Sequence, residues 1–204
     1  MPNFGDLKTR IADELDRTDL GSQIDRELRA AVRHYEVKRW WFNEHTTSTT
    51  ATSSTTNFAM PSDLIQLDRL ELIVTARPRE LNQISWQRFV DNWRFNTTAG
   101  EPQEFARFAN RVWLGPIPRQ DYELTWYYMR TLSPTSFSDG TNNEWTAEAG
   151  DLISVRTLKA LGARTLHFAS GELALYAQLE RDAYNSLCEL SEQRVKTGLA
   201  DPWQ

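Results

Sequence analysis

Two pairs of amphipathic helices bracket residues 41–140, a stretch with no helical period, and this order limits the possible folds more than any other feature of the chain. Residues 4–17 place Phe4, Leu7, Ile11 and Leu15 at helical spacing, with Asn3 positioned to cap the start. Residues 23–39 set Ile24, Leu28, Ala31 and Tyr35 on one face and Asp25, Arg26, Arg29 and Arg33 on the other; Ser22 with Asp25 resembles a capping box. Residues 147–169 carry Leu152, Val155, Leu158, Gly162, Leu166 and Ala169 on one stripe. Gly162 costs a helix about 1 kcal/mol relative to Ala, so a close helix crossing is expected there. Gly171 is expected at C′ of that helix. Residues 172–194 follow with Leu173, Tyr176, Ala183, Leu187 and Leu190, closing an αα-hairpin.

Each terminal pair has one apolar stripe and must bury it against something. The economical solution is an α+β fold: a four-helix bundle built from residues 1–40 and 141–194, with residues 41–140 as an inserted antiparallel β-rich region and 195–204 as a C-terminal tail. Within the insertion, residues 42–60 are rich in Thr and Ser, which favour strand over helix. The run contains neither Gly nor Pro, so a polar hairpin turning near Ser53 is favoured over a Ser/Thr linker. Leu67, Leu70, Leu72 and Val74 have apolar content on both faces, as a central strand does. Ser85 caps a short helix over 86–93. Residues 104–108 and 111–114 pair around Ala109–Asn110, and Tyr122, Leu124, Trp126 and Tyr128 alternate as a half-buried strand.

The charge balance argues against a phosphate-gripping protein: 23 Lys and Arg against 28 Asp and Glu, net −5. Cys188 is the one cysteine, so an internal disulfide is impossible and a reducing compartment is expected. The charged N-terminus does not read as a signal peptide, and no apolar run approaches bilayer length; a soluble protein with no membrane partner is expected.

A search for chemistry finds no phosphate loop and no nucleophile elbow. His34, His45 and His167 lack ligand spacing, so no metal site, cofactor or catalytic residue is expected. Cys188 reads as a small core residue. Asp63 and Asp68 could form a carboxylate pair only if one cleft held both, and Asp63 sits where a turn expects Asp anyway. Asn96-Thr97-Thr98 matches a glycosylation triplet by chance. Trp86, Trp93 and Trp113 would suit sugar stacking if their faces were exposed, making a carbohydrate-binding β module the alternative reading. Adjacent Trp40 and Trp41 mark the joint between helical and β segments, as core residues or as a subunit contact together with Thr49 and Thr52.

Five blocks, in order, carry a resemblance. They are Tyr35 to Glu44, ending Arg39-Trp40-Trp41-Phe42-Asn43-Glu44; Phe58-Ala59-Met60-Pro61-Ser62-Asp63-Leu64-Ile65-Gln66-Leu67-Asp68; Gly100-Glu101-Pro102-Gln103-Glu104-Phe105; Val112-Trp113-Leu114-Gly115-Pro116-Ile117-Pro118; and Asn143-Glu144-Trp145-Thr146 with Asp151-Leu152-Ile153 ahead of the last helices. Over nearly the whole chain they resemble the phage head-to-tail adaptor (connector) proteins, the tail-tubular-A-like ring proteins of tailed phages and phage-like particles. The resemblance implies a non-enzymatic subunit of a homo-oligomeric ring, usually of twelve copies, at the virion neck and assembled in the host cytoplasm. Such a ring sits below the portal protein, meets tail or nozzle proteins, and passes double-stranded DNA through its lumen without sequence-specific binding. It further implies that the C-terminal segment inserts into the portal, which here would fall on Leu199, Pro202 and Trp203.

Overall fold

The computed structural model describes residues 2–75, 77–132 and 137–196. The chain divides into two compact units, one from Met1–Asn43 with Leu132–Gln204 and one from Glu44–Thr131.

In the helical unit, α1 (Phe4–Glu14) opens with a complete capping box: Asn3 accepts from the Asp6 N–H while the Asp6 carboxylate accepts from the Asn3 N–H, both at 2.8 Å. The second helix, α2 (Gly21–Tyr35), starts earlier than its pattern suggests and has no side-chain cap. Ser22 instead donates to Gln23, so the Ser22–Asp25 box does not form. Its apolar face behaves as read: Ile24, Leu28, Ala31 and Tyr35 are all buried.

The helix expected over 147–169 is broken into pieces. These are α4 (Glu144–Glu148), begun by an Asn143–Thr146 capping box, then α5 (Gly150–Leu161), then a π-helical turn over Gly162–Leu166. His167 ends the turn in left-handed conformation at φ 53°, so Gly171 is not the terminator; it lies inside the first turn of α6 (Ser170–Lys196). Gly162 serves no helix crossing. A Cβ there would overlap the Phe168 ring, so the glycine lets Phe168 fold back over the π turn.

The four-helix bundle is not what forms. The fold is α+β, with six helices and three sheets among the described residues, but the helices do not share one axis. The 12-residue α5 is the hub, packing on α1, α2, α4 and α6. At 1.5 Å per residue it spans about 18 Å, whereas the 27 residues of α6 span about 40 Å. With the expected third helix broken into α4, α5 and a π turn, no four matched helices remain to run side by side. The core instead gathers side chains from every part of this unit, from Phe4 and Leu28 to Trp40, Phe42, Trp145, Ile153 and Leu187.

In the β unit, β1 (Glu44–Ala51) pairs along its length with β10 (Tyr122–Arg130), which pairs with β3 (Leu64–Val74), which pairs with β4 (Arg77–Glu80). All these ladders are antiparallel. A second sheet runs β2 (Asn57–Ala59), β8 (Arg111–Gly115), β7 (Glu104–Phe108), β5 (Asn82–Gln83), the last pair parallel. A parallel pair, β6 (Ala99–Gly100) with β9 (Ile117–Pro118), completes the strands. The Thr-rich run therefore does not close a hairpin on itself: β1 belongs to one sheet and β2 to the other. The β7–β8 hairpin turns through Ala109 and Asn110 with φ 51° and 57°, the two positive angles of a type I′ turn.

Leu70, Leu72, Leu124, Trp126 and Tyr128 from the first sheet and Phe105, Val112 and Leu114 from the second fill one core. The alternation read over 122–128 matches the inward face of β10, and β3 is an inner strand as its two-sided apolar content indicates.

Candidate functional site

The three candidate sugar-stacking rings converge beside α3 (Trp86–Trp93), around a cavity of about 390 Å³ whose lining includes Trp86, Trp93 and Trp113. Each ring packs against other side chains of the cluster while staying half-buried. Trp86 lies nearly parallel to Phe89, with ring centroids 5.7 Å apart, and to Phe108, at 4.3 Å. Trp113 meets Trp86 and Phe89 edge to face. Trp93 lies flat on Gly115, where a Cβ would come within 2.6 Å of the ring, and its indole N–H donates to Glu104 at 2.8 Å. The cluster fastens α3 to the second sheet.

The Asp63 carboxylate accepts from the Tyr128 hydroxyl at 2.9 Å, and Asp68 is exposed beside the register shift in β3. Burial, then the bond to Asp63, raises the Tyr128 hydroxyl well above its ordinary pKa. His45 packs edge-on against Tyr128, His34 against Tyr35, and His167 caps the π turn. Burial first, then Arg156, lowers the pKa of His34. No cluster of three or more His, Cys, Asp or Glu among the described residues is placed to hold a metal ion. Cys188 is half-buried against the helical core. Asn96 accepts from the Thr98 N–H in a local turn.

Of the candidate contact residues, Trp40 is 2% exposed and donates its indole N–H to the Tyr35 carbonyl at 3.1 Å, which leaves a neighbour almost nothing to touch. Trp41 is half-buried beneath the Arg194 guanidinium, 4.5 Å from its ring centroid. Thr49 is exposed on β1, but its hydroxyl accepts from the buried Trp126 indole at 2.8 Å. Thr52 is exposed in the turn after β1. Leu199, Pro202 and Trp203 lie outside the described residues.

The two edges of the first sheet differ. The β4 edge carries Pro78 between charged residues, a combination that blunts strand pairing. The β1 edge offers eight residues with no Pro, no Lys and no bulge in the ladder to β10.

One buried carboxylate of the helical unit escapes a reading of apolar periodicity. Glu180, 7% exposed, sits on the inward face of α6 and joins three helices. It accepts from the Tyr35 hydroxyl of α2 and from Arg156 of α5, both at 2.6 Å, and pairs with Lys159 of α5. Burial alone would push its carboxyl up. The bonds from Lys159, Tyr35 and Arg156 outweigh that and hold it down at about 2. The signal was available: Leu173, Tyr176, Ala183 and Leu187 define a stripe on which position 180 falls.

The family model for the SU10 adaptor protein matches residues 2–201. The chain belongs to the SU10 adaptor protein family. None of the curated proteins matches it. For an adaptor, outward surfaces matter more than any cleft, and no helix among the described residues is long and apolar enough to cross a membrane.

Proposed function

We propose that this phage adaptor protein is a non-enzymatic structural subunit of the virion neck. Copies form a ring, dodecameric in our reading, which sits below the portal protein, joins the tail or nozzle proteins and extends the channel for double-stranded DNA during genome ejection. The observation that carries this is the family match across residues 2–201 of 204. The net charge of −5 suits a lumen that lets phosphates pass without gripping them. The β1 edge suits strand addition by a neighbouring copy or a tail protein.

The segment 195–204 is the portal anchor in this reading, with Leu199, Pro202 and Trp203 as contacts. One Trp can bury roughly 150–250 Å², and presenting the anchors together makes every docking event after the first effectively intramolecular. Electron microscopy of the chain mixed with its portal tests the proposal. Rings capping the portal are expected, and a chain lacking 195–204 is expected to stay folded and fail to cap. A portal left bare by the full chain would overturn the neck role; capping by the shortened chain would overturn the anchor.

A further inference from the structure

The two flanks of α6 have opposite chemistry. Its inward row, Tyr176, Glu180, Ala183 and Leu187, covers the helical core. At 3.6 residues per turn, a second row falls roughly 100° to one side: Glu172, Leu175, Leu179, Ser186 and Leu190, with Asp182 bordering it. Leu175, Leu179 and Leu190 are 57%, 41% and 45% exposed among the described residues. Roughly 100° to the other side lies a shallow open cleft of about 330 Å³, lined by Tyr35, Lys38, Lys159, Ala177, Arg181 and Tyr184. Glu180 at its floor is the one carboxylate of the lining, against three cations. Lys38 donates to the Tyr184 hydroxyl and stands over its ring, and Val37 beside it is 68% exposed.

We propose that the leucine flank of one copy seats in the cationic cleft of the next. This rests on the ring reading above and deepens it by naming the contact. Leu175 and Leu179 find Ala177, the Tyr184 ring and Val37 of the neighbour, while Glu172 and Asp182 meet Lys38, Lys159 and Arg181. The two surfaces lie on opposite sides of one helix in one unit, so a copy cannot satisfy both from itself. The contact is head-to-tail, the kind that closes into rings when the rotation permits. A twofold pairing of leucine flanks is disfavoured by charge: antiparallel register centred between Leu175 and Leu190 brings Asp182 against its own copy.

Disulfide capture on the portal, in a Cys188→Ser background, tests this. Leu179→Cys with Ala177→Cys is expected to give a ladder from dimer upward, and Leu179→Cys alone none. A dimer from Leu179→Cys alone, or no ladder from the pair, overturns the proposal. In parallel, Leu179→Asp is expected to abolish rings with an unchanged unfolding temperature, because the side chain is exposed. Arg181→Glu with Asp182→Arg in one chain is expected to restore what Arg181→Glu loses. Normal rings from Leu179→Asp would sink this interface and leave the neck role standing. A wild-type chain that forms no ring at all would sink both. Loss of DNA binding without loss of rings in Arg181→Glu would assign the cleft to phosphates and refute the contact.

Discussion

Tyr35 of α2 donates its hydroxyl to the buried carboxylate of Glu180 on α6 at 2.6 Å, and the same oxygen accepts from Arg156 of α5. One carboxylate thus ties three helices. Because Arg156 and Lys159 are partly exposed, Glu180→Gln is expected to cost about 2 kcal/mol at neutral pH, the scale of lost charge-assisted hydrogen bonds. The folded carboxyl titrates near 2, whereas an unfolded Glu titrates at about 4.3. A depressed folded value contributes stability that is complete above the unfolded value and disappears as pH falls toward 2. Urea unfolding between pH 5 and pH 2.5 should therefore show a shallower pH slope for Glu180→Gln than for wild type. Identical slopes would remove Glu180 from the acid response.

Gly162→Ala sets two effects against each other. Helix propensity favours Ala by about 1 kcal/mol. The new Cβ, however, overlaps the Phe168 ring, which is folded back and stacked on Tyr176. Overpacking of this kind costs about 1–3 kcal/mol, so net destabilisation is expected. In Phe168→Ala the clash is gone, and Gly162→Ala should turn neutral or stabilising there. Thermal unfolding of the four chains closes the cycle, and additive effects would break the link.

These two sites show what the sequence made legible. Local signals came through: the Asn3 cap, the buried row of α2, the Ser85 cap of α3 and the alternation of Tyr122 to Tyr128. Each depends on residues within a turn or two. Partnership did not come through. A stripe says that a helix has an apolar face but not what covers it, so α5 as a hub and α6 as an overlong outer helix were invisible in the spacing. The Thr-rich run misled for the same reason, since β1 finds its partner more than seventy residues away (Ala51 opposite Tyr122). Glu180 escapes apolar periodicity because a carboxylate on a buried stripe carries no hydrophobic signal. Leu190, expected on that stripe from its spacing, lies on the exposed flank, one residue off the row.

Thr49 carries a prediction that an exposed edge-strand threonine ordinarily would not. Its hydroxyl is the acceptor for the Trp126 indole at 2.8 Å, and the Trp126 ring is fully buried. Thr49→Val preserves shape and strand propensity but orphans the indole N–H, for an expected loss of about 1–2 kcal/mol. Thr50→Val, without such a bond, should stay within about 0.5 kcal/mol of wild type. Equal effects at both positions would show that the bond adds nothing.

Trp86 is expected to matter for stability and not for ligand capture. Its ring stacks on Phe89 and Phe108, so truncation to Ala removes the contact between α3 and the second sheet and should cost about 3 kcal/mol. Glycan arrays probed with wild type should stay blank. Saturable glycan binding abolished by Trp86→Ala would reinstate the carbohydrate reading.

Trp203 is where multiplicity should be most visible. Truncating an interface anchor typically costs about 2 kcal/mol, roughly thirtyfold for one contact. In a ring the copies dock as linked events, so small losses per copy compound in the overall avidity. Trp203→Ala is therefore expected to weaken a single tail peptide on the portal by about thirtyfold and the assembled ring by far more. Calorimetry on the peptide and portal co-sedimentation of the full chain give the two values. Comparable losses in both would mean that the copies do not cooperate, and no loss in either would mean that the aromatic grips nothing on the portal.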